Sequence, residues 1–270
     1  GVLVAAGVIP LANLLTHGRA VPWYGAAARE WGERGLLVVG IAALASWALG
    51  ARLDEPMDRV TRAFLRPSPL AFTTALSALA FAAALFVSIW AFGGQPFTSD
   101  EMAQQWHAQI LSAGRLAAPA EPLREFFNTA PVLDRDGRWF SQYPIGGPAL
   151  IAAGIRLGAP WLVNPVLLAL ATAALYRFLR LAFDETAARG TTLLFVLSPM
   201  VVVMAGSQMN HVPSLAFTMI ALWALARWDH ADDVGVQRWA AVAIGLAIGA
   251  VALVRPLDAV IVAVAVGGFQ

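Results

Sequence analysis

Residues 69–92 read PLAFTTALSALAFAAALFVSIWAF. No charged side chain interrupts this run. It is long enough to supply the about 20 mostly apolar residues that a bilayer-spanning helix needs. Its apolar side chains fall on every side of a helix, without the one-sided stripe of a surface helix. The same reading extends outward to Gly35–Gly50, Trp161–Leu179, Gly190–Ala205, Val212–Ala226, Trp239–Val254 and Leu257–Phe269, with a partial run at Gly1–Leu15. Composition agrees. Hydrophobic residues make up 59% and charged residues 13%, against about 45–50% and about 25% in soluble domains, and the mean hydropathy is +0.67. A chain of this length cannot hide so much apolar surface in a soluble core, so lipid must cover part of it. The expected fold class is all-α: a polytopic transmembrane helical bundle.

The remaining composition narrows the function classes. Net charge is +1, so no global field attracts nucleic acid. All 18 basic residues are arginine, which reflects coding bias rather than chemistry. Cysteine is absent, which excludes disulfides and thiolate metal sites. The chain begins inside one apolar run and stops inside another, which reads as a fragment of a longer membrane protein. Neither run has the basic leader and cleavage site of a signal peptide.

Arginine placement orients the bundle. The connection 51–66 holds Arg52, Arg59, Arg62 and Arg66; a later one holds Arg177, Arg180 and Arg189; Arg227 and Arg238 flank a third. Alternation puts all three on the cytoplasmic side. The loop 16–34, with Arg19, Arg29 and Arg34, falls on the outer side and dissents. The outer side then carries the one long polar segment, residues 93–146, and long loops of this kind are usually functional. Thr98 and Glu101 fit a capping box that starts a helix. Met102, Trp106 and Ile110 make an apolar stripe, and Asp100, Gln104 and His107 lie on another face. The pattern predicts an amphipathic helix lying at the membrane surface. A second short helix is expected from Pro148 to Leu157, stopped by Gly158 and Pro160 and too short to cross.

Four features of this side could carry chemistry. Asp100 and Glu101 are adjacent acids just past a spanning helix. In a helix's first turn they favour the dipole, and Glu101 can simply close the cap. A carboxylate at the membrane rim can also deprotonate an acceptor, or two can hold a divalent cation. Arg138 to Pro148, with Tyr143, reads either as an aromatic belt and turn or as a rigid wall with Tyr143 facing a ligand and Arg138 near its phosphate. His211 follows Asn210 in a tight outer turn, as a helix cap or a pocket residue. Arg255, before Pro256, can pair with Asp258 and snorkel, or face the same pocket. Counting crossings puts Asp100, Tyr143, His211 and Arg255 on one face. A transporter tends to place ionisable groups at the midplane, whereas the spans before Leu257 have almost uncharged interiors.

The ordered set Asp100-Glu101, Gly114-Arg115-Leu116, Asp136-Gly137-Arg138-Trp139 and Tyr143-Pro144-Ile145-Gly146 resembles the first outer loop of GT-C-type membrane glycosyltransferases. It is most similar to the branch related to protein O-mannosyltransferases and the lipid A aminoarabinose transferase. Ser198-Pro199, Asn210-His211 and Arg255-Pro256 add to the likeness, which covers residues 69–270 as a catalytic region truncated at its C-terminus. Residues 1–68 read as an additional N-terminal membrane segment. Ile145 departs from the family, which often has a second proline there. The resemblance implies a polyprenyl-phosphate sugar donor entering from the membrane and a lipid, glycan or protein acceptor from the outer aqueous side of the cell membrane. It implies Asp100 as the base, with Glu101 assisting or sharing a divalent cation (Mg2+ or Mn2+). Tyr143 and His211 would line the pocket. Topology adds Arg138 or Arg255 as the group that meets the leaving phosphate. The rival expectations are a lipid-linked sugar transporter and a non-catalytic membrane scaffold.

Overall fold

The computed structural model describes residues 22–122 and 131–268. The partial run Gly1–Leu15, Arg19 of the first connection, and the middle of the long loop lie outside them. The chain divides into two units, Gly1–Arg66 and Pro67–Gln270.

In the first unit the described residues form one helix, α1 (Pro22–Leu65). At 1.5 Å per residue it is about 66 Å long. The expected run Gly35–Gly50 lies inside it, but residues 51–65 are helical and not the loop that sequence predicts. Arg52, Glu55, Arg59 and Arg62 are good helix formers, and Glu55 and Arg59 pair at 3.2 Å across one turn. These residues carry the helix past Pro56.

The second unit is a helical bundle. Helix α2 (Pro69–Phe86) starts on a capping Ser68 and continues into a π-turn, Val87–Ala91. Helix α3 (Ser99–Ser112) opens the long loop, and α4 (Gly146–Arg156) closes it. A short 3-10 turn, Pro160–Leu162, leads into α5 (Val163–Ala182). Helices α6 (Glu185–Val196) and α7 (Pro199–Gly206) form a pair bent by 56° at Ser198-Pro199. Then come α8 (His211–Asp229), α9 (Val234–Val254) and α10 (Pro256–Gly267). Among the described residues, three helical stretches, Pro69–Ala91, Pro160–Ala182 and Val234–Val254, are long and apolar enough to cross a membrane. The bent pair makes a fourth if it counts as one span. The chain is a mostly helical, multi-pass membrane protein.

Small residues set the packing. Ala80 and Ala84 of α2 meet Leu168 and Ala171 of α5, with Val196, Ala205, Val212 and Ala216 closing the same core. In lipid, where apolar side chains gain little by leaving the solvent, close approach across alanines is what holds helices together. The outward faces carry Leu70, Phe86 and Trp90, all exposed.

The long loop departs from the all-α expectation. Strands β1 (Ala118–Pro119), β2 (Val132–Arg135) and β3 (Arg138–Ser141) form a small antiparallel sheet in the order β1-β3-β2. Asp136 and Gly137 both take positive φ between β2 and β3, the two-residue hairpin turn that Asp-Gly favours.

Candidate functional site

The acids Asp100 and Glu101 have different fates. Thr98 caps α3, its hydroxyl accepting from the Glu101 N–H at 3.3 Å. The Glu101 carboxylate turns back and is 2% exposed. Its Oε2 accepts from the Phe97 N–H at 3.2 Å and the Gln208 N–H at 3.3 Å, and its Oε1 accepts from the Thr98 hydroxyl at 3.2 Å. Glu101 therefore caps its own helix and bolts it to the turn before α8. Asp100, one residue earlier, remains half-buried and faces a cavity.

That turn is held from two more sides. Asn164 of α5 donates through Nδ2 to the Ser207 carbonyl at 2.7 Å and the Met209 carbonyl at 3.0 Å. The Gly146-Gly147 pair at the start of α4 lets backbone come close. A Cβ on Gly147 would sit 1.8 Å from Asn210 Oδ1, and one on Gly146 would sit 2.6 Å from the Leu253 carbonyl oxygen. The motif Tyr143-Pro144-Ile145-Gly146-Gly147 is thus wedged between the α7–α8 turn and α9. Ile145 sits in the helical region as the cap of α4.

These contacts enclose a cavity of about 350 Å3. Asp100 and Gln104 line it from α3, Tyr143 from the approach to α4, His211 from the start of α8, and Arg255 and Asp258 from the α9–α10 corner. Burial, and then the neighbouring Asp100 carboxylate, hold the Tyr143 phenol above its ordinary range. Arg255 is extended (φ −146°, ψ 92°), as a residue before proline tends to be. Its Nε pairs with Asp258 Oδ2 at 3.2 Å, and the Ser214 hydroxyl donates to the same oxygen at 2.7 Å. The two terminal guanidinium nitrogens have no partner among the described residues.

Four of the sequence-predicted residues, Asp100, Tyr143, His211 and Arg255, therefore meet in one cavity. Arg138 does not. It is exposed at the start of β3, where alternation turns Trp139 and Ser141 inward and Arg138 outward. Glu101 does not line the cavity either, and both of its oxygens are already taken. The Asp100–Glu101 pair does not fit a shared divalent cation. Among the described residues, no group of three or more His, Asp or Glu side chains could hold a metal.

Helix α3 also differs from the surface helix that its pattern predicts. Its polar face turns inward, with Gln104 and His107 buried, and the apolar stripe is split, with Met102 54% exposed and Ile110 buried. The reason is that the polar groups of the loop lie on the inner side. His107 Nε2 meets the Leu116 carbonyl at 3.1 Å and Nδ1 meets the Ser141 hydroxyl at 2.9 Å. The carbonyl can only accept, so the proton is on Nε2 and Nδ1 accepts from Ser141. Burial holds the imidazole pKa below its usual value, against the raising effect of the Leu116 carbonyl. Gln104, Asn210 and Ser214 were not singled out as site residues from sequence. Gln104 shares the Asp100 face at i+4, a spacing that could have found it.

No family model matches the chain, and neither a curated protein nor a solved structure does.

Proposed function

We propose that this protein is a membrane glycosyltransferase of the GT-C type, moving a sugar from a polyprenyl-phosphate carrier to an acceptor hydroxyl or amine. The observation that carries the reading is the pairing, in one cavity, of the Asp100 carboxylate with an Arg255 whose terminal nitrogens are uncommitted. The two groups suit the two halves of a displacement. Asp100 takes the acceptor proton as the new bond forms at the anomeric carbon. The bond from that carbon to phosphate oxygen breaks, and Arg255 meets the charge left on the phosphate. A fixed guanidinium placed where such charge develops stabilises it. Tyr143 lines the cavity beside Asp100. His211 completes the wall.

The apolar surround supports a lipid carrier. Leu257, beside Arg255 on the cavity rim, is 73% exposed. The arginines of the opposite end, Arg177, Arg180, Arg227 and Arg238, favour a cytoplasmic location for that end and an outer one for the cavity.

Two experiments test the proposal. Purified protein in nanodiscs should release a labelled sugar from a polyprenyl-phosphate donor only when acceptor is added. No transfer from any donor, with bare carrier also failing to bind, would end the reading. In intact cells, single substitutions Ala118→Cys and Ala187→Cys should differ toward an impermeant thiol reagent. Position 118 should react and position 187 should not; the reverse pattern would invert the topology.

A further inference from the structure

The cavity contains a buried polar group without a partner that the transfer step above does not use. Gln104 lies one turn after Asp100 on α3, on the same face, and lines the cavity. It is 1% exposed, and its Oε1 has no hydrogen-bond partner among the described residues. Buried side-chain amides without partners are rare, and each asks for an explanation. Gln208, the other buried glutamine with an unpartnered Oε1, donates through Nε2 to the Gly94 carbonyl at 3.5 Å and does not line the cavity. Gln104 has no such second contact. Asn210 lines the cavity as well, is 8% exposed, and its side chain makes no capping hydrogen bond to α8.

We infer that Gln104, with Asn210 beside it, recognises hydroxyl groups of the transferred sugar and sets which sugar the site accepts. This rests on the glycosyltransferase reading above. An amide both donates and accepts, and so does a hydroxyl, so the pair is matched whichever way the amide is turned. A site whose buried polar groups are completed only by the right ligand also discriminates against a ligand that lacks the matching hydroxyl. In this division of labour Arg255 takes the phosphate, Asp100 the acceptor proton, and Gln104 the ring hydroxyls.

The test uses the full chain in nanodiscs. Its probes are undecaprenyl phosphate and its glucose, mannose, galactose and arabinose esters, with binding read by native mass spectrometry. Wild type should bind at least one ester about tenfold more tightly than the bare carrier. Gln104→Met, close in volume and without the amide, should bring that preference to within about twofold. It should leave bare-carrier affinity unchanged, and the melting temperature of the ligand-free protein should hold or rise. If bare carrier does not bind wild type, the donor reading falls and the subsite falls with it. If carrier binds but no ester is preferred, or the preference survives Gln104→Met, the subsite alone is overturned. A lower melting temperature or aggregation of Gln104→Met also overturns it, because the amide would then have a structural duty.

Discussion

Two polar clusters sit at opposite ends of α2 and α5, and they differ in how completely their groups are paired. At the Arg-rich end, Arg189 is 1% exposed yet fully engaged. Its Nε pairs with Glu185 at 2.5 Å, its Nη2 donates to the Pro67 carbonyl at 2.6 Å, and its guanidinium lies 4.8 Å from the Phe72 ring. The Tyr176 hydroxyl donates to the same Glu185 at 2.6 Å, and Arg180 adds a pair at 3.2 Å. At the other end, the cavity leaves the Arg255 terminal nitrogens and the Gln104 amide uncommitted. A saturated network ties elements together; an unsaturated one is open to something else. Charge and burial alone would have ranked the two ends the other way, since the more deeply buried arginine is the structural one.

The comparison can be broken most sharply at Asp100. Asp100→Asn keeps the shape and still favours a helix start, while removing the base. Turnover in the transfer assay should fall about 10²-fold or more, with donor affinity little changed. Glu101→Gln, its neighbour, should instead lower the melting temperature, because a capping bolt and not a base is lost. Wild-type turnover for Asp100→Asn would move the cavity into the same class as the saturated cluster.

Next in size is Arg189→Met at the saturated end. It strands the Pro67 carbonyl and leaves Glu185, about a third exposed, with Arg180 and Tyr176 alone. A stability loss of about 2 kcal/mol is expected, read by thermal denaturation in detergent, with donor affinity of the folded fraction intact. A variant that keeps its melting temperature would show that saturation is not what stabilises this end.

A smaller effect belongs to Arg255→Lys, which keeps charge but loses the planar fork. Binding of undecaprenyl phosphate should weaken about tenfold without loss of the fold. Unchanged affinity would remove Arg255 from phosphate recognition.

The smallest is the pH response of His107. Its folded pKa lies below the ordinary 6.5, so the folded state binds fewer protons than the unfolded one. The stability it contributes is complete above about pH 6.5 and is lost as pH falls below that value toward the folded pKa, by about 1 kcal/mol per pH unit. Melting temperatures of wild type and His107→Gln should therefore converge between pH 7.5 and 5. Parallel curves would mean that the imidazole does not feel its burial.

The helices were legible because residues 69–92 and their counterparts are apolar all round, and no other element of that length suits such a run. The clustering of Asp100, Tyr143, His211 and Arg255 followed from counting crossings. What sequence could not supply was direction within a segment. Whether α3 turned its polar or its apolar face inward depended on the Leu116 carbonyl just past the helix and on Ser141 from the far end of the loop. The same gap hid the split between Asp100 and Glu101, because the Gln208 N–H that claims Glu101 lies more than one hundred residues away. The hairpin was readable in Asp136-Gly137. Arg138 was assigned to the phosphate without that register, and strand alternation turns it away.

The glycine pair at 146–147 has a mechanical consequence. Glu101 fastens α3 to the turn before α8, Asn210 seats that turn on Gly147, and Gly146 seats α4 on the Leu253 carbonyl. Three sides of the cavity are locked into one frame by contacts that no side chain larger than hydrogen at 146 or 147 would permit. Helix α10 joins this frame through the Arg255-Pro256 corner, through Ser214 on Asp258, and through Val262 and Val266, which pack with Ala221 and Leu225 of α8 and Ala247 of α9. The corner that presents the Arg255 guanidinium is therefore braced by apolar packing as well as by the polar frame.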